Sequence, residues 1–193
     1  MNRNPSNSRI RPALVALTGF MGSGKSSVGR ALASLAGWNF VDLDVEIETS
    51  QGQQIRDIFR LEGEEGFRAL ESAALGRVLT DAQRPMVLSL GGGTFVQRVN
   101  VNLLQANGAI VVFLEASPEI LLRRCFPESD EGEELRPLAA DKEGFLRLYE
   151  RRISHYRTAD LKVDSNGRSP EAVARDIANR LRLISGSKLI ADS

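Results

Sequence analysis

Five short segments of the chain are apolar at nearly every position, and the stretches between them repeat apolar residues at helical spacing. The first, Ala13-Leu14-Val15-Ala16-Leu17, ends at Thr18-Gly19. A run that is apolar on both alternations is what a strand covered on both faces requires. Trp38 to Leu43, Met86 to Leu90, Ala109 to Leu114 and Leu161 to Asp164 predict the other strands. Between the first two, Ser26 to Ala36 places Val28, Leu32 and Leu35 on one helical face and closes at Gly37. Ser117-Pro118 and Ser169-Pro170-Glu171 each set a capping hydroxyl ahead of a proline at the first helical position. They open two later helices, the last predicted to run to about Ile184. This alternation predicts an α/β fold in which a central parallel five-stranded sheet is flanked by helices.

One stretch breaks the pattern. Phe126 to Ala140 holds Pro127, Pro137 and an acidic cluster at Glu128, Asp130, Glu131, Glu133 and Glu134, without amphipathic period, and reads as a surface loop or mobile lid. Residues 1–12 are polar and carry no apolar run of the kind a signal peptide or membrane span needs, so they read as a frayed tail. Residues 13–184 form the predicted single domain, and residues 185–193 a second tail.

Composition narrows the partners. A chain of 193 residues suffices for one substantial core, and 42% hydrophobic with 26% charged residues is the balance of an ordinary globular protein. Its 25 basic and 25 acidic side chains cancel, so no overall field recruits nucleic acid or an anionic membrane, and any anion must be bound locally. The single cysteine, Cys125, excludes an internal disulfide framework and a multi-cysteine metal cluster, which fits a reducing cytosol. It reads as a small residue near a helix end.

Local anion binding has an evident place. Gly19-Phe20-Met21-Gly22-Ser23-Gly24-Lys25-Ser26 satisfies G-x-x-x-x-G-K-[ST] between a predicted strand and a predicted helix, the context that phosphate-binding loop needs. Its glycines let backbone amides converge on a phosphate, and the helix N-terminus adds partial positive charge. Gly22, Ser23, Gly24, Lys25, Ser26 and Ser27 are the candidate ATP contacts, with Lys25 reaching the β- and γ-phosphates and Ser26 offering a hydroxyl to Mg²⁺. Kinases, hydrolysing switches and nucleotide sensors all use this cradle, so the acceptor site has to distinguish them.

Three further groups supply acceptor chemistry. Asp42-Leu43-Asp44 ends the second predicted strand, where residues two apart face the same way and two carboxylates could serve one cleft; the alternative is a pair capping the following helix. Arg68 and Glu71 lie three apart on a predicted helix face, either as a held guanidinium or as a surface salt bridge. Gly91-Gly92-Gly93 follows a buried strand and can expose backbone amides to a ligand. The lone His155, on a helix beside a tyrosine, is given a structural role.

Taken in order, these motifs resemble the shikimate kinases, a branch of the nucleoside-monophosphate-kinase-like P-loop proteins. The resemblance runs from about Ala13 to Leu183. It begins with the phosphate loop and Val28-Gly29-Arg30, then Asp42-x-Asp44 with Ile47-Glu48, Ile58-Phe59 and Gly63-Glu64-x-x-Phe67-Arg68-x-x-Glu71. It continues with the triple glycine, Leu135-Arg136-Pro137-Leu138 and Arg152-x-x-x-Tyr156. It implies a P-loop kinase that uses ATP and Mg²⁺ to phosphorylate the 3-hydroxyl of shikimate, in the pathway to chorismate and the aromatic amino acids. Asp44, Phe59, Phe67, Arg68, Gly91, Gly92, Gly93 and Arg152 would hold shikimate, and Ser26 and Asp42 the metal. Lys25, Asp44 and Arg136 would carry catalysis, with Arg136 in the lid, and Arg124 and Arg168 with Pro170 would flank adenine. Guanidinium forks suit a carboxylate and an acceptor acid suits hydroxyls, so the chemistry agrees. The expected form is a cytoplasmic monomer without nucleic-acid or membrane partners. A kinase of gluconate or of a nucleoside monophosphate is the nearest alternative. A noncatalytic sensor on the same fold is another, disfavoured because Lys25, Ser26, Asp42, Asp44 and Arg136 are all present and residues 1–12 are too few for a DNA-binding module.

Overall fold

The computed structural model describes residues 12–126 and 142–184. Strands β1 (Leu14–Thr18), β2 (Asn39–Asp42), β3 (Met86–Ser89), β4 (Ile110–Glu115) and β5 (Leu161–Asp164) pair in parallel in the order β2-β3-β1-β4-β5. Between them lie α1 (Lys25–Ala36), α2 (Leu43–Gln51), α3 (Ile55–Asp81), α4 (Arg98–Ala106), α5 (Pro118–Cys125) and α6 (Lys142–Tyr156), and α7 (Pro170–Arg180) follows β5. A short 3-10 turn, Thr94–Val96, joins β3 to α4. The predicted five-stranded parallel sheet is therefore the sheet observed.

Period-two alternation divides each strand between two cores. Leu14 and Ala16 of β1, Met86 and Leu88 of β3, and Val111 and Phe113 of β4 face one apolar cluster, which α2 to α6 help to build. Val15, Leu17, Val87, Val112 and Leu114 face the other, closed by Leu32 of α1 and by Val173 and Ile177 of α7. Both faces being covered explains why the strand sequences show continuous apolar runs. The predicted caps are present: Ser117 Oγ accepts from the Ile120 amide at 3.4 Å and Ser169 Oγ from the Ala172 amide at 3.2 Å.

Two expected boundaries are corrected. β2 stops at Asp42, and Leu43 already begins α2, so Asp42 and Asp44 do not lie on one strand. The last helix ends at Arg180 rather than near Ile184, because Arg182 adopts a φ of 54° and turns the chain out of the helix while Leu183 still packs into the core. Within α3 the backbone breaks at Gly63, whose φ of 69° and ψ of −175° re-aim the part of the helix that carries Phe67, Arg68 and Glu71. The lid segment with Arg136, residues 185–193 and all of the first tail but Pro12 lie outside the described residues.

Candidate active site

The order β2-β3-β1 brings three strand ends together at one edge, where parallel sheets bind ligands. β1 runs into the glycine loop, whose Gly22 and Gly24 have φ of 78° and 88°, a region closed to most side chains. Gly24 is the N-cap of α1 and has no side chain to cap it, so the first amides of the helix point into the loop as a ready anion site. Ser23 Oγ is buried without a hydrogen-bond partner, and Lys25 Nζ folds over the loop to donate to the carbonyls of Gly19 and Phe20 at 3.0 and 3.1 Å. Arg124, at the end of α5, donates to the Gly22 carbonyl at 3.0 Å and to that of Ser165 at 3.3 Å, tying the loop to the turn after β5.

Register places the metal candidates. Asp42 and Leu17 both align with Ser89, the last residue of β3. Ser26, in the first turn of α1, donates from Oγ to Asp42 Oδ2 at 2.6 Å, and the same Ser26 oxygen lies 3.5 Å from Ser89 Oγ. The other Asp42 oxygen accepts from the Asp44 amide at 3.2 Å as the N-cap of α2. Capping and cleft-facing roles thus belong to different oxygens of one carboxylate. Hard oxygen donors beside a phosphate cradle fit Mg²⁺, and among the described residues no cluster of three or more His, Cys, Asp or Glu offers a fuller cage. A magnesium ion with few protein ligands takes the rest from phosphate and water, which suits a serine and an aspartate.

The acceptor side is built around the triple glycine. Asp44, in the first turn of α2, has its pKa raised to about 6, chiefly by burial, with the Lys25 ammonium pulling it down and the carboxylates of Asp42, Glu71 and Glu48 pushing it up. Arg68 donates to buried Glu71 at 2.8 Å and to exposed Glu64 at 3.4 Å. Its guanidinium carbon stands 5.9 and 5.2 Å from the rings of Phe59 and Phe67, which stack on each other at 4.3 Å. The glycines are small for a reason visible here. A Cβ at Gly93 would lie 2.4 Å from the Arg68 guanidinium, and one at Gly91 would lie 2.7 Å from Asp44 Oδ1 and 2.8 Å from Glu71 Oε1. The Gly92 carbonyl accepts from the Tyr156 hydroxyl and, at 3.4 Å, from Arg152 Nη1. A Cβ at Gly92 would lie 3.9 Å from both the Gly19 carbonyl oxygen and the Met21 amide nitrogen, so the glycine segment borders the phosphate loop directly.

Asp44, Arg68, Phe59, Phe67, Gly91 to Gly93 and Arg152 therefore meet in one cleft beside Gly22 to Ser27. Arg168 takes a different course, donating to the carbonyls of Asp164 and Ala172 and to Asp176 around the start of α7. His155 is exposed. Sequence reasoning missed Ser89, Thr94 and Gln97. Ser89 had a legible signal, a hydroxyl ending the otherwise apolar strand Met86-Val87-Leu88. Thr94 and Gln97 had none, because their partner Glu71 lies 23 and 26 residues away.

The sequence profile described as "Shikimate kinase" matches residues 21–182. A shikimate kinase from Moorella thermoacetica is 41% identical over 175 residues, covering 89% of this chain and 95% of that one. One from Thermus thermophilus is 42% identical over 175 residues, covering 89% and 91%. Among solved structures, a shikimate kinase from Acinetobacter baumannii in complex with shikimate superposes with a TM-score of 0.79 at 32% identity, covering 89% of this chain and 93% of that one. Profile, full-length relatives and fold agree, and this chain belongs to the shikimate kinase family.

Proposed function

We propose a division of labour in which the loop Gly22 to Ser27 with Lys25 holds the phosphates of ATP, Ser26 and Asp42 hold Mg²⁺, and the cleft around Gly91 to Gly93 holds shikimate. As a shikimate kinase the chain transfers the γ-phosphoryl group of ATP to the 3-hydroxyl of shikimate, giving shikimate 3-phosphate and ADP. What supports the residue assignments is the convergence on one glycine segment of an acceptor acid, Asp44, and two guanidinium groups, Arg68 and Arg152, directly beside the phosphate loop.

Arg68 and Arg152 bind the carboxylate of shikimate through charge-assisted bonds, and Phe59 and Phe67 pack against its ring. Asp44 orients the 3-hydroxyl and receives its proton late in the transfer, from a position where burial already makes the carboxyl a better base than a solvated one. Ser26 and Asp42 would hold Mg²⁺, which when bound would supply neutralisation of phosphate charge. Lys25 leaves its loop carbonyls for the transferred group, and Arg136 of the lid segment adds a second cation there. Catalysis is thus mainly positioning and electrostatics. Arg124 and Arg168 with Pro170 flank the adenine, Arg124 by releasing the Gly22 carbonyl.

The chain acts as a cytoplasmic monomer on small molecules alone; its zero net charge leaves no overall field to recruit nucleic acid or an anionic membrane. Among the described residues no helix is long and apolar enough to cross a membrane. The test is ADP release with ATP and Mg²⁺, comparing shikimate, gluconate, a nucleoside monophosphate and no acceptor, with Lys25→Ala as control. Turnover that depends on shikimate and disappears in the variant is the expected result. Stimulation by a different acceptor alone would overturn the substrate, and sedimentation at twice the chain mass would overturn the monomer.

A further inference from the structure

We propose that Gln97 is a positioning residue for acceptor recognition, acting with Thr94 to fix the Glu71 carboxylate and, through it, the Arg68 guanidinium. This rests on the assignment of Arg68 to the carboxylate of shikimate. Glu71 has a side chain only 1% exposed. A carboxylate so buried needs a donor for each oxygen. Thr94 Oγ1 donates to Oε1 at 2.6 Å, whereas Oε2 is shared between Arg68 Nη1 and Gln97 Nε2, each at 2.8 Å. Without Gln97, Thr94 would still hold Oε1, but Oε2 would keep only Arg68, the very group it positions. The Gln97 bond gives Oε2 a donor independent of Arg68 and so fixes the carboxylate plane in which Arg68 is held.

Gln97 is also an unusual choice for its place in the chain. It is the N-cap of α4, where Ser, Thr, Asp or Asn would bond the free helical amides, and its side chain makes no capping bond. Its backbone is nonetheless pinned: its amide donates to the Thr94 carbonyl, and its own carbonyl accepts from the amides of Asn100 and Val101 at 3.1 Å. A fixed backbone that forgoes a cap delivers the amide to Glu71. Arg68 has a competing partner in Glu64, which is exposed and bonded at 3.4 Å. Weakening the grip of Glu71 therefore lets the guanidinium swing towards Glu64 and off the surface of Gly93.

Gln97→Met removes the amide at nearly constant shape, and Gln97→Glu keeps the shape but sets a like charge against Glu71. For Gln97→Met the shikimate KM should rise roughly 10- to 100-fold, the loss expected for one hydrogen bond to a charged group, with kcat and the ATP KM within about twofold. Gln97→Glu should raise the shikimate KM further, again sparing ATP. In an Arg68→Ala background the Gln97→Met effect should shrink below about twofold, because its route is gone. An unchanged shikimate KM in Gln97→Met, an equal loss of ATP affinity, or the same rise persisting in the Arg68→Ala background would each overturn the proposal. If Arg68→Ala itself leaves the shikimate KM unchanged, the assignment of Arg68 falls and this proposal with it. If Arg68→Ala raises that KM and Gln97→Met does not, only the role of Gln97 falls.

Discussion

Ser26, in the first turn of α1, and Asp42, the last residue of β2, meet through a 2.6 Å hydrogen bond. Because the second oxygen of Asp42 caps α2, the residue's structural role and its proposed metal-binding role can be separated. Asn also caps helices well, so Asp42→Asn should keep thermal stability within about 0.5 kcal/mol while requiring much more Mg²⁺ for half-maximal ADP release. Asp42→Ala should show the same metal defect and in addition lose about 1 kcal/mol. A normal magnesium dependence in Asp42→Asn would remove the residue from the metal site.

Gly93→Ala tests a different kind of fit. The added methyl meets the mobile end of Arg68 rather than backbone, so folding should survive by displacement of the guanidinium. The shikimate KM is expected to rise at least roughly tenfold with ATP binding intact, as when a charged hydrogen bond is misplaced. Titration of each ligand by calorimetry separates the two effects. Wild-type shikimate affinity in the variant would show that Arg68 need not stand where it does.

Asp44→Asn keeps the shape of the side chain and removes its basicity. If Asp44 takes the hydroxyl proton, kcat should fall by roughly 10²- to 10⁴-fold, the range for loss of a general base, while ATP binds as before. A fall in shikimate affinity with kcat preserved would instead make Asp44 a binding group alone.

Tyr156 gives a pH signature in stability. Burial against Phe113 pushes its hydroxyl up from 10.0 to about 12, so the folded chain keeps a proton that the unfolded chain releases first. That contribution is complete below pH 10 and is lost as pH rises through about 12, amounting to about 2 to 3 kcal/mol. Tyr156→Phe has no such pH dependence. At neutral pH the variant should be the less stable by about 1 kcal/mol, from the lost bond to the Gly92 carbonyl. Urea unfolding between pH 10 and 12 should show that gap closing and then reversing. Parallel curves across the range would mean that the tyrosine titrates alike in both states.

Much of the fold and of the site is legible in the sequence. Leu14 to Leu17 could be placed because burial on both faces leaves nothing polar to blur the strand, and the phosphate loop because its glycines, lysine and serine stand at fixed spacing. Asp42-Leu43-Asp44 was misread as strand because an apolar residue between two acids satisfies a period of two. Leu43 is in fact buried as the first residue of a helix, a distinction that three residues cannot carry. Leu181, Leu183 and Ile184 suggested a longer last helix because packing continues after the hydrogen-bond ladder stops. In isolation Arg68 and Glu71 read first as a surface salt bridge. Only the fold brings Thr94 and Gln97 to Glu71, and burial then turns an ordinary helix contact into the centre of the acceptor site.

The cluster around Glu71 also bears on how such a cleft can change over evolutionary time. Arg68, Thr94 and Gln97 all depend on one buried carboxylate, which with Asp44 leaves no room for a side chain at Gly91, while the Arg68 it holds leaves none at Gly93. Altering any one alone strands a buried charge or forces a clash. A lineage drifting towards a neutral acceptor would have to exchange these positions nearly together, while the phosphate loop could stay untouched. If these residues hold the acceptor, preference for an acidic acceptor is expected to change as a block, and relatives that share the nucleotide cradle but take other substrates should differ at several of these five positions at once.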